Sequence, residues 1–317
     1  MKKIISIILL ICTFTLCLAS CGGDNNNDDN NLPETPTDNP IEENHTPYDA
    51  FVFYPQSSDT YVVGISDAGK YYTEIIIPST YNGGKVVGII KEGFKDCESI
   101  TSVKIPNTVI EIKKSAFYDC ENLKTIEFSN SVKSIEEDAF TNCGKIESVF
   151  FNGTIQDWIE IDNLSNPLRY YRRTDLYING ELFTTLVVDD VPSLTEYEIS
   201  KYFSYCGSLK TVIISDYAYA VREKSFMYCV SLENVTISNN VTEIEESAFE
   251  ECSSLKSITI PNSVKRIENY AFAYCTSLND INFEGTKSEW NSITKGSKWD
   301  IGTSNYTIYC TDGTITK

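Results

Sequence analysis

The sequence predicts an α/β solenoid, a coil of stacked units in which each unit supplies one short parallel strand and one short helical turn. The first observation is a recurring phenylalanine that is followed three residues later by a recurring cysteine. The phenylalanines are Phe94, Phe117, Phe140, Phe203, Phe226, Phe249 and Phe272. The cysteines are Cys97, Cys120, Cys143, Cys206, Cys229, Cys252 and Cys275. The second observation is the period, because every step is 23 residues except one step of 63, so each unit packs on its neighbours.

The spacing within one unit predicts its local structure. Ile258 and Ile260 are two residues apart, so both face the same side of a short strand. Phe249 and Cys252 are three residues apart, which places them on one face of a helical turn. Leu255 joins the two parts. A period of about 20 to 29 residues with this leucine and isoleucine spacing is typical of a leucine-rich repeat, and the predicted coil is right-handed.

A longer repeat divides the chain into two modules. The segment around Trp158 recurs 132 residues later around Trp290, and each copy is followed by an Asn-Gly or Asp-Gly signal that predicts a hairpin. The open ends of a solenoid need irregular caps. The predicted order is an N-terminal cap at 51–86, three repeat units at 87–151, an irregular insertion with a hairpin at 152–198, four units at 199–283 and a C-terminal cap at 284–317.

The first 50 residues predict export and membrane attachment. Two lysines precede an apolar run that is too short to cross a bilayer comfortably, and the run ends in Leu-Ala-Ser-Cys21. This ending resembles a bacterial lipobox, which implies that residues 1–20 are a lipoprotein signal peptide and that Cys21 carries the lipid. Residues 21–50 predict a disordered acidic tether, since they are rich in Asp, Asn, Pro and Glu. The acidic start of this tether resembles the export signal of surface lipoproteins in Gram-negative anaerobes, so we expect a surface-exposed outer-membrane lipoprotein.

The repeated pattern also resembles a known family. The pattern Ala-Phe-x-x-Cys-x-x-Leu-x-x-Ile-x-Ile-Pro-x-Ser-Val, as in the unit that begins at Ala248, resembles the BspA-type leucine-rich repeat family over about residues 51–317. The resemblance implies a surface or secreted protein that adheres to host proteins or to other cells, and it supplies no catalytic residues. The chain departs from the family at the fourth unit, where Ile199 lies four residues before Phe203 instead of five. We therefore expect irregular curvature across the middle.

The composition argues against an enzyme and against nucleic acid as a partner. The only histidine, His45, lies in the predicted tether, so the repeats have no histidine for a nucleophile pair or a metal site. The formal net charge of −19 would repel phosphate groups. Carboxylate pairs such as Glu136–Glu137 are expected on the solvent side of their coil, and no glycine-rich phosphate loop is present. We therefore predict no catalytic residues, no metal and no cofactor.

The cysteine ladder leaves two alternatives. Adjacent coils would bring the Cα atoms close enough for disulfides in an oxidising compartment. However, the number of ladder cysteines is odd, and each one shares an inward face with a phenylalanine. Because free cysteine is among the most buried residue types, we favour a structural ladder of buried thiols.

Two groups of side chains are candidate ligand-binding residues. Tyr205, Tyr228 and Tyr274 each precede a ladder cysteine, and they either form an aromatic stripe for a ligand or only cover the edge of the core. The outward strand positions form a mostly small, polar surface with exposed apolar residues beside the insertion. The candidates on this surface are Phe150, Thr211, Ile213, Asn234, Thr236, Ser257 and Thr259.

These features support three hypotheses of function. The first is a surface protein that binds other proteins as an adhesin, with a host protein or a protein of another cell as partner. The alternative is a surface glycan-binding protein of a nutrient-uptake system, because tyrosines and a polar strand face suit sugar stacking and hydrogen bonding. The third is a periplasmic scaffold, and an enzyme is disfavoured because the repeats contain no histidine. In each case the membrane is contacted through the lipid anchor.

Overall fold

The computed structural model describes residues 45–162, 174–188, 202–214 and 216–317. The predicted signal peptide, Cys21 and the tether up to residue 44 lie outside these ranges, as do two parts of the 152–198 insertion and the beginning of the fourth unit. None of the helices within these ranges has the length and apolar character needed to cross a membrane.

The described chain is a β-solenoid with coils of about 23 residues. Each coil contains a front strand whose side chains alternate between core and solvent. In β18 (Ser257–Ile260), Ile258 and Ile260 are buried while Ser257 and Thr259 are exposed. Each residue of this strand pairs in parallel with the residue 23 positions later. The predicted solenoid, its period and its parallel front strand are therefore confirmed.

The front strands form the surface that we call the front face. In the first module the strands are, in spatial order, β3 (Glu74–Ile76), β6 (Ser102–Lys104), β8 (Thr125–Ser129), β10 (Ser148–Asn152), β11 (Asp175–Ile178) and β12 (Glu181–Leu182). In the second module they are β13 (Thr185–Val187), β14 (Thr211–Ile213) and β16 (Asn234–Thr236), and then β18, β20 (Asp280–Phe283), β22 (Thr307–Cys310) and β23 (Gly313–Thr316). Hydrogen-bonded neighbours are parallel except in the hairpins β11–β12 and β22–β23.

The sequence predicts one strand per unit, whereas the coils have two. The second strand is often only two residues long, as in β17 (Glu243–Ile244), where Ile244 is fully buried. The first side sheet contains β1 (Phe51–Pro55), β2 (Thr60–Ile65), β4 (Thr80–Tyr81), β5 (Gly84–Ile89), β7 (Glu111–Ile112) and β9 (Ser134–Ile135). The second contains β15 (Ala220–Val221), β17, β19 (Arg266–Ile267) and β21 (Thr294–Lys295). Two residues are too few to produce a periodic sequence pattern, which explains why the sequence does not predict the two-residue strands of the side sheets.

The helical turn that the sequence predicts in each unit is a series of tight turns, so this part of the prediction is wrong. In the segment from Ser115 to Asp119, the N–H of Tyr118 donates to the Ser115 carbonyl three residues back. The N–H of Phe117 instead donates across to Ala139 of the next coil at 2.8 Å. Ser115 and Asp119 have left-handed φ angles of 55° and 59°, which a right-handed helix cannot contain. The α/β class is therefore corrected to a β-solenoid with few helices.

The core consists of side-chain ladders that run from coil to coil. All seven recurring phenylalanines are fully buried. The ring centroids of Phe94 and Phe117 lie 5.0 Å apart, and those of Phe117 and Phe140 lie 5.3 Å apart in a stacked arrangement. Phe249 and Phe272 stack in the same way at 5.3 Å. Because each ring covers the face of the next, the stacking contacts lie between coils, and each coil depends on its neighbours for stability.

Two short helices lie at equivalent places in the two modules. Helix α1 (Ile155–Ile159) follows Thr154, and helix α2 (Lys287–Ser292) follows Thr286. Each threonine oxygen accepts a hydrogen bond from the backbone N–H three residues later, and the carboxylate of that residue accepts one from the threonine N–H. This capping box satisfies two N–H groups that the start of a helix would leave unpaired. It also orients the helix so that its tryptophan is buried.

A hairpin follows each helix, as the sequence predicts. The β11–β12 hairpin turns at Asn179 and Gly180, whose φ angles of 50° and 81° fit a type I′ turn. The β22–β23 hairpin turns at Thr311 and Asp312 instead of at Asp-Gly, because Gly313 already pairs with Cys310. The Asp-Gly signal is therefore displaced by one residue.

The packed part of the chain begins before residue 51. Thr46 is buried, and its N–H donates to the Ile76 carbonyl at 3.0 Å. Ala50 is fully buried and ends a 3₁₀ turn that begins at Tyr48. The last residues assigned to the tether thus pack against the first front strand.

Candidate functional site

The seven ladder cysteines lie in the core as free thiols. The Cys252 Sγ donates to the Phe226 carbonyl of the preceding coil at 3.2 Å, and Cys120 makes the equivalent bond at 3.0 Å. Burial raises the pKa of Cys206 to about 11 and that of Cys275 to about 12. The thiols of Cys206 and Cys275 stay protonated near neutral pH, so they contribute volume and hydrogen bonds and are not activated nucleophiles.

A metal site and an open groove are two further kinds of functional site to consider in the part of the chain that the structure describes. This part contains no group of three or more His, Cys, Asp or Glu side chains that could hold a metal ion. An open groove of about 280 Å³ lies beside β19 and β21, and its lining includes Glu246, Glu268, Arg266 and Lys295. The Lys295 Nζ donates to the Trp290 carbonyl at 2.6 Å and lies 4.5 Å from its ring centroid. Burial lowers the pKa of Lys295. Its amino group is already held by the carbonyl and the ring of Trp290.

The three candidate tyrosines do not form one continuous stripe. Tyr205 and Tyr228 stack with ring centroids 4.8 Å apart and planes inclined by 16°. The next coil has Glu251 at the same position, and Tyr274 follows one coil later. Tyr274 is 41% exposed, and its ring lies so close to Gly302 that a methyl group there would collide with it. A ligand at this edge would meet a pair of rings and one separate tyrosine.

These tyrosines occupy a strained backbone position. Their φ angles are 67° for Tyr205, 60° for Tyr228 and 57° for Tyr274, a conformation that is uncommon for bulky residues. The equivalent residues of the first module are Asp96, Asp119 and Asn142. Asp and Asn tolerate this conformation well. Backbone preference therefore does not explain the tyrosines, whereas contact between the rings of neighbouring coils does so for Tyr205 and Tyr228.

The front-face candidates of the second module point outward. Ile213 is 37% exposed, and its neighbour in the ladder is Thr236. Thr211 is half-buried and pairs with Asn234. The exposed residues of the next front strand are Ser257 and Thr259. Hydroxyl and amide groups thus follow one another across neighbouring coils.

Phe150 is half-buried rather than exposed, because its ring stacks on Tyr177 with centroids 4.4 Å apart. Tyr177 pairs with Leu182, which is 41% exposed on β12. We call these three outward side chains on neighbouring strands the apolar row. Ile213 lies beside Val187 on the first strands of the second module. The sequence analysis missed Tyr177 and Leu182, which the hairpin places next to Phe150.

Comparison with known proteins places the repeats in context. The model of the BspA type Leucine rich repeat region matches residues 72–161 and 198–300, more than half of the chain, in six copies. A search of the curated proteins finds no match to this chain.

Several solved structures are similar to this chain. The leucine rich repeat protein TpLRR of T. pallidum is 18% identical, with 67% of this chain and 91% of that chain covered and a TM-score of 0.39. A leucine rich cell surface protein of Faecalibacterium prausnitzii is 20% identical, with 80% and 73% covered and a TM-score of 0.34. A leucine-rich repeat protein of Bacteroides ovatus is 23% identical, with 75% and 88% covered and a TM-score of 0.29.

Proposed function

Because this chain belongs to the BspA-type leucine-rich repeat family, we propose that it is a bacterial surface protein that binds protein partners through its front face. The family is generally non-enzymatic, and leucine-rich repeat proteins generally bind proteins. The partner is a host protein or a surface protein of another cell, held by adhesion without a catalytic step.

The apolar row is the observation that carries this proposal. Protein interfaces have aromatic and aliphatic anchors at their centre and a polar rim around them. Phe150, Tyr177 and Leu182 form such a centre, and the Lys104–Glu127 ion pair, at 2.9 Å on the same face, is part of the rim. A partner that covers the row would remove apolar surface from water, which is a main driving force of association.

The binding test uses the purified full chain captured on a sensor and a panel of extracellular-matrix proteins. We expect one or more of these proteins to bind, and the double variant Phe150→Ala/Tyr177→Ala to weaken that binding at least about tenfold, as loss of interface anchors does. Thr125→Ala is the matched control, because Thr125 lies on the same face without belonging to the apolar row. Binding that the double variant leaves unchanged would contradict the role of the row.

We also propose that Cys21 carries a lipid that anchors the protein in the outer membrane, facing outward. The motif at Cys21 and the acidic tether after it support this proposal. Protease shaving of intact cells, followed by blotting for this protein and for a periplasmic marker, tests it. We expect the protein to be lost while the marker survives. Protection of both proteins would contradict surface exposure and favour a periplasmic scaffolding role. Cys21→Ser is expected to release the protein from the membrane fraction.

Glycan capture for nutrient uptake at the tyrosine edge remains the alternative. Each of the two stacked rings of Tyr205 and Tyr228 covers one face of the other, so at most the outer face of each ring could stack on a sugar. A glycan array probed with the wild type and with Tyr228→Ala tests it. A signal that disappears in the variant would favour this alternative over protein binding.

A further inference from the structure

We infer that the second module carries a separate binding site for an uncharged oligosaccharide, centred on Tyr309 at the C-terminal end of the front face. The site lies on other strands than the apolar row and binds a different class of ligand. It is formed by Thr236, Thr259, Asn282, Tyr309 and Thr314.

The ladder register places four of these side chains in one line, and Thr236 lies on the strand beside it. Thr259 pairs with Asn282, and Asn282 pairs with Tyr309. Tyr309 in turn pairs with Thr314 of the closing hairpin. Thr236 lies on β16, the strand next to β18. All five side chains are exposed, with Tyr309 at 45%. The line from Thr236 to Tyr309 spans three coil steps, about 14 Å at the usual strand spacing of about 4.8 Å.

The first module contains a matched position with different chemistry. Tyr177 precedes Tyr309 by 132 residues, the offset that relates the two modules, and both tyrosines lie on the first strand of a hairpin. Tyr177 lies between Phe150 and Leu182, which are both apolar. The neighbours of Tyr309 are Asn282 and Thr314, so the same ring is flanked by an amide and a hydroxyl.

Charge on the front face also differs between the modules. Among the outward positions of β16, β18, β20, β22 and β23, Asp280 is the one charged side chain. The corresponding strands of the first module, β6, β8, β10, β11 and β12, carry Lys104, Glu127 and Asp175 at outward positions. In a chain with a formal net charge of −19, a nearly uncharged surface fits a ligand without charge.

An oligosaccharide of uncharged sugars has the chemistry that this row can recognise. The C–H groups on one face of a sugar ring pack on an aromatic ring, and its hydroxyl groups both donate and accept hydrogen bonds. Asn282 offers an amide with two donors and an acceptor, and each threonine offers one donor and two acceptor lone pairs. The coil spacing repeats these groups along the solenoid, so an extended glycan would lie across the strands with the tyrosine under one ring.

Affinity electrophoresis of the full chain tests the inference. Native gels contain glycogen, galactomannan, arabinoxylan or mixed-linkage β-glucan, with polygalacturonate as the acidic comparison. We expect retardation by at least one neutral polysaccharide and none by polygalacturonate. Tyr309→Ala should weaken the affinity for the retarding polysaccharide about tenfold, and Asn282→Ala should weaken it severalfold.

The module repeat supplies the control. Tyr177→Ala removes the equivalent ring of the first module and should leave retardation unchanged, while it weakens protein binding if the proposed function holds. Thermal melting of each variant confirms that it is folded. The inference is overturned if no neutral polysaccharide retards the chain, if Tyr309→Ala binds as well as the wild type, or if Tyr309→Ala instead reduces binding to a matrix protein. The first two outcomes are independent of the test of the apolar row.

Discussion

At the scale of the residue, the ladder cysteine joins neighbouring coils through the backbone of a phenylalanine. The Phe226 carbonyl accepts a hydrogen bond from Cys252, and the Phe226 N–H donates to Ala248 at 2.9 Å. The Phe226 carbonyl also accepts a hydrogen bond from the Cys229 N–H of its own coil at 3.1 Å, so the thiol adds a second donor that links this buried carbonyl to the next coil. Cysteine suits this place because it is small, apolar and still able to donate.

Replacing one ladder cysteine should show how much this hydrogen bond contributes to the free energy of unfolding. We expect Cys252→Ala to lower the free energy of unfolding by about 1–3 kcal/mol, because the Phe226 carbonyl loses one of its two donors and the sulfur leaves a cavity. Urea unfolding measured by tryptophan fluorescence gives the difference. Ser253→Ala is the control, since Ser253 donates to the Val230 carbonyl at 3.4 Å nearer the surface. Equal losses in both variants would argue against a structural role of the thiol bond.

At the scale of the element, the sequence predicts the front strands well and the segment between them poorly. The three-residue spacing of Phe249 and Cys252 is common to a helical turn and to consecutive tight turns, so it does not distinguish them. The left-handed φ angles at Ser247 and Glu251 show that the segment forms tight turns rather than a helical turn. Across the coils, the residue types at these two positions range from Asp and Asn to Lys and Tyr. No single residue type marks the position, so the sequence alone favours the helix.

The capping box of α2 makes a prediction that depends on pH. The Glu289 carboxylate accepts hydrogen bonds from the Thr286 N–H and hydroxyl, which lowers its pKa from the usual value of 4.5. A carboxyl with a lowered folded pKa stabilises the fold above the unfolded pKa, and this contribution is lost as pH falls through the folded pKa. We therefore expect Glu289→Gln to lower the melting temperature at pH 7, and the difference from wild type to vanish at a pH well below 4.5.

A nearby carboxylate supplies the comparison for that measurement. Glu284 is exposed and lies before the helix, outside the capping box. Glu284→Gln should therefore change the melting temperature less than Glu289→Gln at pH 7. A Glu289→Gln effect that is the same at every pH would show that the charge of the carboxylate does not matter.

At the scale of the whole molecule, the sequence locates the front face but not its aromatic anchors. The 132-residue offset identifies both hairpins, and it also aligns Tyr177 with Tyr309. Which side of β11 faces outward depends on its parallel pairing with β10, across an irregular insertion. A shift of one residue would reverse the two faces, so local pattern alone could not assign Tyr177 to the surface.

The boundary between the modules should be less stable than their interiors. The front sheet of the first module ends at β12, and a new hydrogen-bonded sheet starts at β13. In native-state hydrogen exchange, we expect amides of Thr185–Val187 to exchange faster than those of β8 or β20, which each have two hydrogen-bonded neighbours, because a strand at the edge of a sheet opens without disrupting two neighbours. Equal protection across the three strands would indicate one cooperative unit.

The contacts that join one coil to the next are the same at almost every step: a strand register of 23 residues, an N–H to carbonyl bond at the phenylalanine, and a thiol bond to the same phenylalanine. Copying or deleting one coil, such as residues 234–256, would therefore move everything beyond it by one strand spacing of about 4.8 Å and create no new kind of contact. The distance between the apolar row and Tyr309 can change only in whole steps. The gain or loss of whole coils would thus allow evolution to adjust the separation of two binding surfaces in fixed increments.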